Sequence, residues 1–279
     1  MCRLFGLSAG MERVHATFWL LDAPDSIEFQ GRRNRDGTGL GFFADDGTAV
    51  VDKQAEPAYS DVEFIAEARL AESTTFIAHV RKATVGALKE ENTHPFSING
   101  MIMAHNGGFE ELHLIEAELG EHRALVRGDT DSERYFALIA RNVERNGGNV
   151  GAAIVEAARW IADNLPLFAL NLVLATEHEL WALRYPEHHR LYALVRPAGG
   201  YDDVGELGVQ SSTLGVNSPH LAHHPAVVIA SEPLDESGHW RLLDAGELLH
   251  VSPGLEVSST LALEEPPSVT SVDPLPYVP

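Results

Sequence analysis

Cysteine occurs once in this chain, at position 2, directly behind Met1. A lone cysteine forms no internal disulfide, and its small side chain at position 2 permits an aminopeptidase to remove Met1. The new first residue would then carry a thiol and a free α-amine on adjacent carbons. A thiol is strongly nucleophilic only as thiolate, and an α-amine titrates at about 7.7–8.0. Such an amine can take the thiol proton near neutral pH and return it to a leaving amine. Nucleophile and base would share one residue. The opposing reading is an incidental cysteine, and the downstream residues must decide.

Four stretches bear on that decision. Arg81, in Ala78-His79-Val80-Arg81-Lys82-Ala83-Thr84, can clamp a carboxylate with two parallel hydrogen bonds, with the Thr84 hydroxyl adding a third; the alternative is a surface ion pair. His94, in Asn92-Thr93-His94-Pro95-Phe96, could donate to a substrate or fix its loop. In His105-Asn106-Gly107-Gly108, the Asn106 amide and the Gly107 N–H could form an oxyanion hole, against the simpler reading of an Asn-Gly turn. Asp131 falls in the first turn of a helix, where the dipole favours a carboxylate whether or not it also receives an ammonium group.

The elements that must hold these residues follow from hydrophobic periodicity. Cys2 to Ala9 reads as a buried strand, followed by an apolar stretch at Phe18–Leu21 and a glycine-rich loop from Gly31 to Gly39. Leu40–Phe43 and Ala49–Lys53 form a hairpin about Asp45-Asp46-Gly47. Ser60-Asp61-Val62-Glu63 predicts a capping box for a helix to Leu70, and Thr130-Asp131-Ser132-Glu133 predicts another. Strands are expected over Thr75–Val80 and Met101–His105, and a further helix over Val150–Asn164. Later strands are expected at 169–175, 180–184, 191–195, 208–213, 227–231 and 247–251. Strands, then helices, then strands again favour two sheets with a helical layer over an alternating βαβ order. Residues 2–255 form one expected domain, and 256–279 a Pro/Ser-rich extended tail.

Composition narrows the partners. Hydrophobic residues make up 44% and charged residues 22% of 279, ordinary for a packed protein. With 41 acidic against 20 basic side chains the net charge is -21, which opposes nucleic acid and anionic membranes. No apolar run approaches the roughly 20 residues of a membrane helix, so a cytoplasmic protein with a reduced thiol is expected. The histidines at 188, 189, 220, 223 and 224 match no tight zinc spacing, and neither a metal nor another cofactor is expected.

Taken together, Cys2 behind Met1, Asp36-Gly37-Thr38-Gly39, His79 to Thr84, Asn92 to Phe96, His105-Asn106-Gly107 and Thr130 to Glu133 resemble class II glutamine amidotransferases in order and approximate spacing. The resemblance implies an α+β fold, the four-layer αββα sandwich of N-terminal nucleophile hydrolases. It implies Cys2 as nucleophile and, through its amine, base; Asn106 and Gly107 as oxyanion hole; Arg81, with Thr84 and His94, on the substrate α-carboxylate; and Asp131 on its α-ammonium. The substrate would be glutamine or another γ-glutamyl small molecule, with ammonia available to a synthase partner. A bile-acid or penicillin-type hydrolase would not call for the pair Arg81 and Asp131. Thr38 departs from the aromatic residue common there in small members. The chain resembles the small stand-alone branch, which includes a γ-glutamyl hydrolase of ergothioneine synthesis. A non-catalytic binding subunit that keeps the fold is the competing reading.

Overall fold

A computed structural model describes residues 2–83, 86–199, 208–211, 214–217 and 224–271. In chain order, β1 (Arg3–Ser8) leads through a π-helical turn (Phe18–Asp22) and α1 (Ile27–Gln30) to β2 (Thr38–Phe43) and β3 (Ala49–Gln54). Then come α2 (Val62–Leu70), β4 (Thr75–Val80), β5 (Phe96–Ile98) and β6 (Met101–Phe109). The helices α3 (Leu112–Leu119), α4 (Asp131–Arg145) and α5 (Val150–Asn164) precede β7 (Leu167–Ala175), β8 (Leu180–Leu183) and β9 (Tyr192–Arg196). A hairpin of β10 (Gly208–Ser211) and β11 (Leu214–Asn217) and the strands β12 (Ala226–Ala230), β13 (Arg241–Leu242), β14 (Glu247–Val251) and β15 (Val257–Leu261) complete the described chain.

The first sheet runs β13-β9-β12-β1-β4-β2-β3 and the second β15-β14-β8-β7-β6-β5. Strand alternation sorts their side chains into separate cores. Phe5, Leu7, Phe76 and Ala78 face outward from the first sheet, under Trp19, Ile27 and Phe64 of the π-turn, α1 and α2. Leu4, Ile77, Ile102, Ala104, Val173 and Ile229 fill the space between the sheets. Met103, Leu170, Leu172 and Leu174 face outward from the second sheet, against Phe136, Ile139, Ala157 and Ile161 of α4 and α5. Helix, sheet, sheet, helix is the expected αββα sandwich. Among the described residues no helix is long and apolar enough to cross a membrane.

Local chemistry departs from the sequence reading in several places. Asp61, not Ser60, caps α2, its carboxylate accepting from Phe64 N–H; Ser60 turns back to the Pro57 carbonyl. Thr130 does cap α4, accepting from Glu133 N–H at 3.3 Å, a bond typically worth about 1 kcal/mol. The reciprocal half of that box is absent, because the Glu133 carboxylate instead takes the N–H groups of Arg127 and Gly128. β6 does not stop at His105: it continues through Asn106, Gly107 and Gly108 to Phe109, paired with β7. Of the strand expected over 208–213, residues 208–211 form one, and 212–213 lie outside the described residues. Within the stretch set apart as a tail, residues 257–261 form the edge strand β15, and Ser268 and Ser271 donate to Ala162 and Leu167 carbonyls.

Candidate active site

Strand alternation decides which side chains enter the space between the sheets. Leu4, Ile77 and Ala104 belong to that inner core, so Cys2, two residues before Leu4, and His79 and Asn106, two residues after Ile77 and Ala104, share its face. The start of β1 and the ends of β4 and β6 therefore converge.

Cys2 is held at both ends. Its Sγ lies 3.3 Å from the Lys82 carbonyl oxygen and accepts from Lys82 N–H at 3.2 Å. Its own carbonyl accepts from Asn106 Nδ2 and from Arg3 Nη1, both at 3.1 Å, and Arg3 is ion-paired to Glu232 at 2.6 Å. Burial pushes the thiol pKa up, more than the Lys82 N–H and nearby positive charges draw it down. The resting group is a thiol that needs a base.

Asn106 commits one amide hydrogen to the Cys2 carbonyl, and an amide carries two. Gly107 faces Leu170 across β6 and β7. Because Leu170 N–H donates to the Tyr185 carbonyl on its other side, this is the non-hydrogen-bonded kind of antiparallel pair. The Gly107 N–H is thus directed away from β7, past the point where β5 has ended. A Cβ on Gly107 would stand 1.8 Å from the Ala169 carbonyl oxygen, so only glycine fits. The Asn-Gly turn of the simpler reading does not exist; both residues sit inside a strand.

Arg81 is not a surface residue. It is 3% exposed, and its guanidinium donates to the carbonyls of Ala87 at 3.2 Å and Gly86 at 3.3 Å. Burial lowers its pKa, while Cys2, Asp36 and Asp131 favour its charge. Thr84 lies outside the described residues. The Asp36 loop is stitched to the same strand end: Asp36 N–H donates to the Arg81 carbonyl, Arg81 N–H to that of Gly37, and Asp36 Oδ2 accepts from Ala83 N–H at 2.8 Å. Gly37, at φ +154, presses against Thr93, where a Cβ would come within 2.9 Å.

Asp131 opens α4 without capping it. Its carboxylate accepts from Phe109 N–H at 3.2 Å and Ser132 N–H at 2.8 Å, which sets it beside the end of β6. His94, before a cis bond to Pro95, is buried with its ring 4.3 Å from that of His79 and 4.6 Å from that of Phe96. Burial foremost holds the His94 pKa well below the ordinary histidine value, so it packs against His79 and Phe96 as a neutral ring.

Three supports escaped the sequence. Glu232 gives no local sign that it anchors Arg3, 229 residues earlier. Lys82 acts through its backbone. Asn92, wholly buried, donates to the Ala87 carbonyl and Asp129 and accepts from Asp129 N–H at 2.8 Å. It joins the loop under Arg81 to the loop before α4; its place in the Asn-Thr-His-Pro stretch was the available sign. Among the described residues no three His, Cys, Asp or Glu side chains are arranged to hold a metal ion. His188 and His189 pack on Phe168.

A family profile described as glutamine amidotransferases class-II matches residues 1–272. The chain belongs to the class II glutamine amidotransferases. A Haemophilus influenzae protein bearing the family's name is 30% identical over 94% of this amidotransferase and 87% of its own length. The gamma-glutamyl-hercynylcysteine sulfoxide hydrolase of Mycolicibacterium smegmatis is 28% identical over 79% of this chain and 83% of its own. A Saccharomyces cerevisiae protein of the same family name is 31% identical over 41% of this chain and 35% of its own, so the match takes in about a third of that relative. Among solved structures, the glutamine phosphoribosylpyrophosphate amidotransferase of B. subtilis superposes with a TM-score of 0.64 at 19% identity, over 95% of this amidotransferase and 50% of that chain. That likeness shows the fold.

Proposed function

We propose that this amidotransferase is a cysteine-dependent amidohydrolase cleaving the γ-amide of glutamine or of a γ-glutamyl compound through a thioester on Cys2. Removal of Met1 frees the α-amine, which takes the thiol proton as Sγ attacks the γ-carbonyl carbon. Asn106 Nδ2 and Gly107 N–H stabilise the resulting oxyanion. The C–N bond breaks as the α-amine returns its proton to the leaving nitrogen, releasing ammonia or an amine. Water then attacks the thioester, the same amine serving as base, and glutamate departs.

One observation carries this reading: the Asn106 amide reaches the Cys2 backbone at 3.1 Å, so nucleophile and oxyanion donor are positioned as one unit. The buried guanidinium of Arg81, whose charge Asp131 helps to favour, supports an amino-acid substrate whose carboxylate and ammonium the two residues receive, with Thr84 and His94 assisting. A γ-glutamyl hydrolase of a thiol pathway is the second reading, favoured by the Mycolicibacterium smegmatis relative of similar extent. Use of the ammonia by a synthase partner fits the related glutamine--fructose-6-phosphate aminotransferase of Bradyrhizobium diazoefficiens, of which the matching region is 28%.

The test is glutamate release by purified protein from glutamine and a panel of γ-glutamyl amides, with Cys2→Ala as control and N-terminal mass spectrometry to establish loss of Met1. Equal rates for Cys2→Ala and wild type would sink the mechanism. Substrate binding without turnover in both would mark a binding subunit.

A further inference from the structure

Two side chains in the motifs around Cys2 have no role so far: His105, which precedes Asn106, and Ser132, which follows Asp131. Both are buried, at 2% and 4% exposure, beside Asp131 at 5%. His105 Nε2 lies 3.2 Å from the Ala169 carbonyl oxygen, and its Nδ1 lies 2.8 Å from Ser132 Oγ. A carbonyl only accepts, so Nε2 carries a hydrogen. Burial foremost draws the His105 pKa down, although Asp131 and the Ala169 carbonyl favour its charge, and a neutral imidazole has a single N–H. Nδ1 is therefore a bare acceptor, and the Ser132 hydroxyl donates to it. A hydroxyl has only one proton to give. Ser132 Oγ also lies 3.3 Å from Asp131 Oδ1, and with its proton held by His105 it meets that carboxylate lone pair to lone pair. Asp131 itself takes Ser132 N–H on Oδ1 at 2.8 Å and Phe109 N–H on Oδ2 at 3.2 Å, which fills about half of the roughly four sites a carboxylate offers. Two buried acceptors side by side with no proton between them are costly until a donor bridges them.

We propose that Ser132 Oγ joins the Asp131 carboxylate in accepting the substrate's α-ammonium, and that His105 is the positioning residue that keeps the Ser132 proton turned away from it. This role rests on the amidohydrolase function proposed above, which gives Asp131 the ammonium. An ammonium carries three N–H donors, and the two Asp131 oxygens and Ser132 Oγ offer three acceptors. Were the Ser132 hydroxyl free to turn, it would donate to Asp131 Oδ1 and occupy a site the substrate needs. The order of control runs inward: the Ala169 carbonyl fixes the imidazole tautomer, the imidazole fixes the hydroxyl, and the oxygens around Asp131 stay without protons. A ligand with the same amide but no α-amine leaves those oxygens unbridged, so the arrangement selects amino acids.

The test compares glutamine with glutaramate, the same γ-amide without the α-amine, by ammonia release from wild type, Ser132→Ala and His105→Gln. Glutamine at position 105 can still offer an amide N–H to the Ala169 carbonyl but has no ring nitrogen for Ser132. In both variants the ratio of kcat/KM for glutamine to that for glutaramate is expected to fall about tenfold or more, chiefly through KM for glutamine. A purely structural part would weaken the two substrates together. An unchanged ratio in Ser132→Ala therefore overturns the role of Ser132, and an unchanged ratio in His105→Gln overturns that of His105. Calorimetric binding of L-glutamate and glutarate to Cys2→Ala protein, with and without Ser132→Ala, separates this role from the chemistry. Loss of the preference for glutamate in the Ser132→Ala form is expected there too, and a preference that persists overturns the acceptor. Glutamate bound by a wild type that cleaves no γ-glutamyl amide overturns the amidohydrolase reading alone, and binding of neither ligand overturns both.

Discussion

His79 offers a quantitative test of how the layer beneath the candidate site is built. It lies wholly inside, and neither ring nitrogen has a hydrogen-bond partner among the described residues. Burial foremost, then the charge of Arg81, holds its pKa down at about 3. In the unfolded chain histidine titrates at about 6.5. Between those values the unfolded state binds a proton that the folded state refuses, so stability present above pH 6.5 is lost as pH falls toward 3. From pH 7 to pH 5 the loss traced to His79 alone is about 2 kcal/mol. Glu67, pushed up to about 7 by burial and by Asp52, Asp61 and Glu63, acts in the opposite sense, so the raw pH profile is not diagnostic. His79→Leu removes the titration at similar volume while the other groups stay common to both proteins. Urea unfolding at pH 7 and pH 5 should show wild type losing about 2 kcal/mol more than the variant across that interval. Equal losses would refute the neutral, buried state of His79.

Asn106→Ala should lower kcat by about 10²–10³ with KM little changed, since in the proposed mechanism it removes a donor used in the transition state; an unaltered kcat in steady-state glutamate release removes Asn106 from that role. Arg81→Ala should mainly raise KM, and because the guanidinium also holds the Ala87 and Gly86 carbonyls, Arg81→Lys should rescue little of it; full rescue would show that charge alone suffices. Gly107→Ala forces a Cβ to within 1.8 Å of the Ala169 carbonyl oxygen. The backbone must shift by roughly an ångström, with a loss of about 10² in kcat or more; a crystal structure of an active variant with unmoved β6 would contradict this.

Much of the fold was legible because its strands alternate and its longer helices carry apolar faces. α3 was missed: its N-cap, Glu111, is left-handed at φ 57 and makes no side-chain cap bond, so the usual start sign is absent. β5 has only Phe96, Ser97 and Ile98, too few to show a period. In the site, ordered motifs brought Cys2, Arg81, Asn106, Gly107 and Asp131 to notice. The sequence could not tell that Asn106-Gly107 continues a strand, because the same dipeptide serves turns; only pairing with Asn171 and Leu170 decides it. The role of Glu232 depends on a contact made entirely by folding.

The strand that begins next to Cys2 is an interior one, paired on one side with β4 and on the other with β12. Those neighbours begin at Thr75 and Ala226, so a growing chain completes one border of β1 early and the other only after Ala226 has been made. Until β12 arrives, one border of β1 remains a bare row of amides and carbonyls, able to recruit another chain. Glu232, just beyond β12, reaches Arg3 only after that closure. The surroundings of Cys2 are therefore complete only once Glu232 has been made, and nascent chains released before residue 226 should aggregate through the strand that leads from it.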